Sequence, residues 1–213
     1  MSDKWVLEDD DDDDEDDDDE EPTEGTDRGG DDSRLMEKFL QTRTILVCEA
    51  ITDTLARRVY QNLLLLESED PHKTITVVIN SPGGEADSGF GIMDMLRFVE
   101  SPIRTLVAGL CASAAILVGL AADREKRFSL PHSRFLLHQP MAASFGQAAD
   151  LEIASAEILK LRDRYNKIVS EQTGHPVAEV TKDSDRDFWM SGPDAMEYGL
   201  VHRIVSSRKE FND

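Results

Sequence analysis

A serine hydroxyl becomes a nucleophile when a base stands beside it, and the oxyanion it creates needs backbone N–H donors without partners of their own. Two stretches carry residue types suited to this chemistry: Ser81-Pro82-Gly83-Gly84, and Ser113 within Gly109-Leu110-Cys111-Ala112-Ser113-Ala114-Ala115. Glycine lets a backbone N–H approach a reacting carbonyl, and the first N–H groups of a helix have no intrahelical partner. Taken singly, Ser113 also reads as a helix cap. The base must come from five histidines. His72 and His175 sit in polar loops, His132 follows a proline in a turn, and His202 lies beside Arg203 near the terminus. His138 differs because it ends the apolar run Arg134-Phe135-Leu136-Leu137 and is followed by Gln139-Pro140. Imidazole is poised for proton transfer near neutral pH. Asp183, Asp185 and Asp187 are candidates to orient it; Asp187 is favoured because Phe188-Trp189-Met190 follows and is expected to half-bury it.

The elements that must hold these residues follow from periodicity. Thr44–Cys48 reads as a buried strand, and Thr52 or Asp53 caps a helix to about Ser68 with Leu55, Val59, Leu63 and Leu66 on one face. Ile75–Ile79 is the next strand, followed by the two-glycine turn and a helix from about Ala86 to Val99 carrying Phe90, Met93, Met95 and Phe98. Ile103–Val107 is a third strand, after which Gly109 is expected in a turn and Ser113 opens a helix. Strand and helix alternate, which indicates an α/β fold with a mostly parallel sheet. Ligands in such sheets gather at the carboxyl ends of the strands, where both chemical stretches lie.

Arg134–His138 is a further short strand, and a long helix runs from about Gln147 to Thr173, stopped by Gly174. Its apolar stripe, Leu151, Ile158, Tyr165, Ile168 and Val169, is uneven. At about 40 Å it exceeds a small domain's diameter, so a projecting arm packed on another copy is expected. Phe188–Met190, a helix at Pro193–Glu197 and a last strand Val201–Val205 close the chain.

The chain has 213 residues and a net charge of −21, and residues 1–34 hold 19 acidic and 3 basic residues of that total. Every residue from Asp9 to Glu21 is acidic. Residues 1–32 are therefore expected to be a disordered tail, either simply solvated or a docking or gating segment for basic partners, and 33–213 a single domain. An acidic tail repels phosphates, so nucleic acid is not an expected partner. No secretory leader is expected, because the start lacks a basic, then apolar, then small-residue pattern. The longest apolar run, Ala108 to Ala122, is too short to span a bilayer readily, so no membrane association is expected. Cys48 and Cys111 lie in apolar segments without metal or disulfide spacing, so a reduced, cytoplasmic setting and no metal are expected. There is no Gly-x-x-x-x-Gly-Lys phosphate loop.

Ile79-Asn80-Ser81-Pro82-Gly83-Gly84, Ala112-Ser113, His138-Gln139-Pro140, Gly146-Gln147-Ala148 with Asp150, and Ser191-Gly192-Pro193-Asp194-Ala195 with Glu197-Tyr198-Gly199-Leu200-Val201 together resemble the proteolytic subunit family of the Clp protease. The resemblance runs from about Ser33 to Val205. It implies the family's repeated β-β-α superhelix, shared with the crotonases, with a projecting handle helix at about 145–174. It implies a serine endopeptidase with Ser113 as nucleophile, His138 as base, Asp187 as acid, and the N–H groups of Gly84 and Ala114 as oxyanion donors. Gly83 and an edge at Phe145, Gly146 and Gln147 would hold an extended substrate by strand addition. Two stacked seven-membered rings, of this chain or mixed with a paralogue, would enclose the sites. A separate AAA+ ATPase would feed them unfolded polypeptides, and no cofactor is implied.

The sequence departs from the family at Ala114-Ala115, where Met-Gly is usual, at Phe188, where an arginine is often found, and at Thr76 and Val78, where tyrosines often stand. A crotonase-type acyl-CoA enzyme and a non-catalytic or partner-dependent ring subunit are the alternative readings.

Overall fold

The computed structural model describes residues 38–141 and 145–212. The expected acidic tail lies outside the described residues. Strands β1 (Thr44–Val47), β2 (Ile75–Ser81) and β3 (Ile103–Ala112) are parallel and adjacent. Helix α1 (Asp53–Glu69) links the first pair and α2 (Ala86–Phe98) the second, so the expected alternation is present. Thr52 caps α1, its hydroxyl accepting from the Leu55 N–H at 3.2 Å. Leu55, Val59, Leu63 and Leu66 are all buried, each worth about 2 kcal/mol of hydrophobic stabilisation.

Strand β3 is longer than its apolar run suggests. Ile79 pairs with Val107 but Ser81 pairs with Cys111, so β3 carries extra residues in a bulge around Gly109. Gly109 has φ 128°, and the Asn80 carboxamide lies where a side chain would stand. The Asn80 Oδ1 accepts from Leu110 N–H at 2.9 Å, closing the gap the bulge opens. The expected turn at Gly109 is therefore a bulged continuation of the strand, because a side chain from β2 supplies the bond the ladder loses.

The bulge forks the sheet. The first half of β3 pairs with β4 (Arg127–Ser129), and the second half pairs with β5 (Arg134–Leu137). Strand β7 (Arg203–Ile204), shorter than expected, extends the first branch, and β6 (Phe188–Ser191) runs antiparallel to β5 on the second. Helix α3 (Ala114–Gly119) follows β3 directly and is buried throughout, packed between the sheet and α2.

Helix α4 (Ala148–Thr173) ends at Gly174 as expected. Its second half buries Tyr165 and Val169, whereas Leu151, Ile153 and Leu159 in its first half are exposed. The helix thus leaves the body of the molecule as an arm. Helices α5 (Val177–Asp183) and α7 (Arg208–Asn212), separated by α6 (Gly192–Glu197), are among those with no counterpart in the sequence reading. Ser191 caps α6 in a reciprocal box with Asp194. Phe98 is 77 % exposed, since Ile92, Met93 and Leu96 define the buried stripe of α2 and Phe98 falls off it.

Arg127 ties the arm's base to the sheet. Its side chain is buried, and its guanidinium donates to the carbonyls of Ala122 at 2.8 Å, Leu120 at 3.2 Å and Gln172 at 3.2 Å. Burial lowers its pKa to about 10, which leaves it charged at neutral pH. Arg127→Ala would strand the Ala122 and Gln172 carbonyls, while Leu120 O keeps its bond from Arg97 at 2.9 Å, and is expected to cost about 3 kcal/mol. Thermal or denaturant unfolding checks this, and a midpoint within error of wild type would refute it. Among the described residues no helix is long and apolar enough to cross a membrane.

Candidate active site

Ser113 joins the end of β3 to the start of α3, and its backbone has φ 55° and ψ −125°. Few non-glycine residues adopt positive φ, and such strain persists only where the surroundings impose it. Here the Ser113 N–H donates to Leu136 O at 3.0 Å, and the Tyr165 hydroxyl donates to Ser113 O at 3.2 Å. Burial holds the Tyr165 phenol well above its ordinary pKa, so it remains a neutral donor. The Ser113 hydroxyl makes no capping bond to α3. Helix capping would have occupied it; the sharp strand-to-helix turn leaves it available. Tyr165 escapes a sequence reading, since it counts there only as one member of an apolar stripe.

The two-glycine turn wraps against this elbow. Ile51 and Gly84 form a parallel bridge, in which Ile51 N–H donates to Gly83 O at 2.8 Å and Glu85 N–H donates to Ile51 O at 2.9 Å. The Gly84 N–H lies outside that bridge. Ala114 is the first residue of α3, so its N–H has no intrahelical partner either. Gly83 and Gly84 have φ of 85° and 151°. A Cβ on Gly83 would stand 2.7 Å from Ser113 Cβ and 3.0 Å from Ala114 N. The Ser81 hydroxyl pins the turn, accepting from Gly83 N–H at 3.1 Å and donating to Glu49 O at 2.6 Å.

Ser113, His138, Gly83, Gly84 and Ala114 all line one cavity of about 590 Å³. Its walls are largely apolar, from Phe90, Leu117, Ile158, Leu161 and Met141. Among the described residues no group of side chains could hold a metal ion.

Asp187 does not line this cavity. Leu137 pairs with Phe188 at the end of the antiparallel β5–β6 ladder, so His138 and Asp187 are the residues flanking that last pair. Beyond it, Gln139 N–H donates to Ser184 O at 2.7 Å and Gln139 Nε2 donates to Asp185 O at 3.0 Å, holding the loop before β6 against the end of β5. Asp187 is exposed, contrary to the expected half-burial. Side chains alternate along β6, so inward Met190 and partly buried Phe188 leave Asp187 on the outward face with Trp189. No hydrogen bond or ion pair joins Ser113, His138 and Asp187 in this single copy.

The expected substrate strand is also altered. Phe145–Gln147 form no strand but an irregular approach to α4, with Phe145 96 % exposed. An edge strand needs a partner to define it, and no neighbouring strand reaches these residues among those described. Cys111 is buried and Cys48 exposed, and both are free thiols.

The family model of the Clp protease matches residues 27–208. The chain belongs to the Clp protease family. It is 43 % identical over 188 residues to the ATP-dependent Clp protease proteolytic subunit 2 of Treponema denticola, covering 88 % of this chain and 94 % of that one. It is 40 % identical to the ATP-dependent Clp protease proteolytic subunit of Porphyromonas gingivalis, covering 83 % of this chain and 79 % of that one. A solved structure of a mutant ClpP1 from Listeria monocytogenes superposes with a TM-score of 0.78 at 40 % identity, covering 83 % of this chain and 99 % of the other. The fold is therefore that of the Clp proteolytic subunits, and the chain is a serine endopeptidase of that family. The acyl-CoA enzyme alternative is set aside by the same findings.

Proposed function

We propose that Ser113, His138 and Asp187 are the nucleophile, base and acid of this Clp-family peptidase, with the N–H groups of Gly84 and Ala114 as its oxyanion donors. The observation that carries the reading is the strained elbow at Ser113, whose uncapped hydroxyl shares a cavity with His138 and both donors. Ser113 Oγ attacks the substrate carbonyl while His138 takes its proton. The tetrahedral oxyanion is met by the two N–H groups, an interaction worth about 10²–10³ in rate per donor. His138 returns the proton to the leaving amine, and water then hydrolyses the acyl-enzyme by the same path in reverse. Asp187 orients the imidazole and stabilises its charged form.

An extended, unfolded polypeptide is the proposed substrate, held along Gly83 and along Phe145, Gly146 and Gln147 once these pair with its backbone. The proposed assembly is two stacked seven-membered rings fed by an AAA+ Clp ATPase, in the cytoplasm, with residues 33–213 as one domain. The exposed apolar residues Leu151, Ile153 and Leu159 on the arm support packing between copies. A second reading is favoured by the absence of hydrogen bonds within the triad: full activity requires the ring, or a paralogous partner, to draw Asp187 onto His138. Catalytic bonds are often long before substrate binds, so the geometry suits both.

A serine-reactive fluorophosphonate tests the reading. The full-length ring is expected to be labelled at Ser113, as read by peptide mass spectrometry, and Ser113→Ala to be unlabelled. Labelling that requires a paralogue or ATPase supports the second reading. An assembled ring that remains unlabelled with and without its partners refutes the first and leaves a non-catalytic subunit.

A further inference from the structure

The cavity beside Ser113 has two chemically distinct parts. Its walls are Phe90, Leu117, Ile158, Leu161 and Met141, and its exposed mouth carries the carboxylates of Glu85 and Asp87. Glu85 is the residue after the oxyanion glycine, and Asp87 lies one turn of α2 before Phe90. The first turn of α2 is held close to the nucleophile's helix, since a Cβ on Gly89 would stand 2.9 Å from Ala114 Cβ. The backbone that carries both carboxylates is therefore held near Ser113, where the substrate's acyl side chain must enter.

Neither carboxylate is neutralised by an ion pair among the described residues. Glu85 Oε2 accepts from the Ser88 hydroxyl at 2.8 Å, a bond that leaves its charge in place. Asp87 belongs to the first turn of α2, where a carboxylate favours the helix dipole, and it has no ion-pair partner among the described residues. Arg164, over the Phe90 ring at 4.0 Å, is paired with Asp94 at 3.6 Å instead. Among the described residues, His138 is the only cationic or potentially cationic side chain lining the cavity.

An apolar slot with an acidic mouth matches one class of side chain. Lysine and arginine lay a hydrocarbon stem on apolar surface and keep the charged head at the water's edge. We propose that Glu85 and Asp87 are specificity-determining residues that select a basic residue immediately N-terminal to the scissile bond. The proposal rests on Ser113 being the nucleophile of this cavity. The walls accept any side chain with a suitable hydrocarbon portion; the two carboxylates distinguish a cationic tip from a neutral or anionic one. Partly exposed ion pairs are individually modest, so two acting together give about tenfold selection.

Lysine and norleucine share the same straight hydrocarbon chain and differ at its end by the ammonium group. Fluorogenic peptides identical but for lysine, norleucine or glutamate at that position therefore isolate the charge. With the full-length assembled protein, kcat/KM is expected to favour lysine over norleucine by about tenfold and over glutamate by about 100-fold or more. In Glu85→Gln/Asp87→Asn the lysine-to-norleucine ratio is expected to fall to about one. Raising the salt from about 0.05 to about 0.5 M is expected to narrow the wild-type ratio in the same direction. A wild-type ratio at or below one overturns the proposal. So does a ratio that the double variant leaves unchanged, including the case where both peptides slow equally, which would assign the two residues a structural role. Hydrolysis that survives Ser113→Ala, or no hydrolysis of any of the peptides with and without a paralogue and ATPase, overturns the nucleophile assignment itself and with it the selection built on that site.

Discussion

Ser113→Ala is expected to lower peptide hydrolysis by about 10⁴-fold or more in kcat, with KM little changed. In the proposed mechanism this hydroxyl is the atom that bonds to the substrate, and among the described residues no other nucleophile with a neighbouring base lines the cavity. The fold should survive, because that hydroxyl caps nothing and the turn is held by backbone bonds to Leu136 and from Tyr165. Alanine inherits the strain at φ 55°, whereas Ser113→Gly relieves it. The glycine variant is therefore expected to be just as inactive yet more stable, by about 1 kcal/mol. Activity and unfolding measured on both variants separate the chemical role from the conformational one. Retention of more than about a tenth of wild-type kcat in either variant would remove Ser113 from the chemistry.

Gly84→Ala is expected to show the second-largest effect, a loss of about 10²–10³ in kcat together with measurable destabilisation. At φ 151° a Cβ on residue 84 would stand 2.2 Å from Ile51 O and 2.9 Å from Ile51 N. These are backbone atoms and cannot rotate away. Relief requires the bridge to Ile51 to open, which moves both the Gly84 N–H and the start of α2. The expected stability cost is about 2–3 kcal/mol, from strain and lost hydrogen bonds. Because labelling of Ser113 by a fluorophosphonate also uses the oxyanion donors, the labelling rate should fall with kcat. Normal kcat in a folded Gly84→Ala ring would exclude this N–H as a donor.

Local signals account for much of the fold. Thr52 before an amphipathic run marks α1, and four aliphatic residues at helical spacing name its buried face. Gly174 marks the end of α4, and the weak stripe along that helix already indicates that only part of it is covered. The longer-range features escape such reading. The bulge in β3 depends on a contact between Asn80 and the Gly109–Leu110 backbone, and the forked sheet depends on that bulge. The stripe set by Ile92, Met93 and Leu96 turns Phe98 outward, which its aromatic type alone does not indicate. Asp187 looks half-buried because apolar residues follow it, but strand alternation sends it to the other face.

By itself, the sequence determined which residue types were available for chemistry and which apolar periods would become helices and strands, since both depend on neighbours within a turn or two. It also held the motifs that mark the family. The tertiary structure decided how those residues meet. It bent Ser113 into a strained elbow whose hydroxyl caps nothing, and brought His138 to the same cavity through the β3–β5 pairing. It set Asp187 and His138 on either side of the last β5–β6 pair, and placed Glu85 and Asp87 at the mouth of an apolar slot. Each of these arrangements rests on strand register or helix docking between distant segments, and such contacts exist only once the chain has folded.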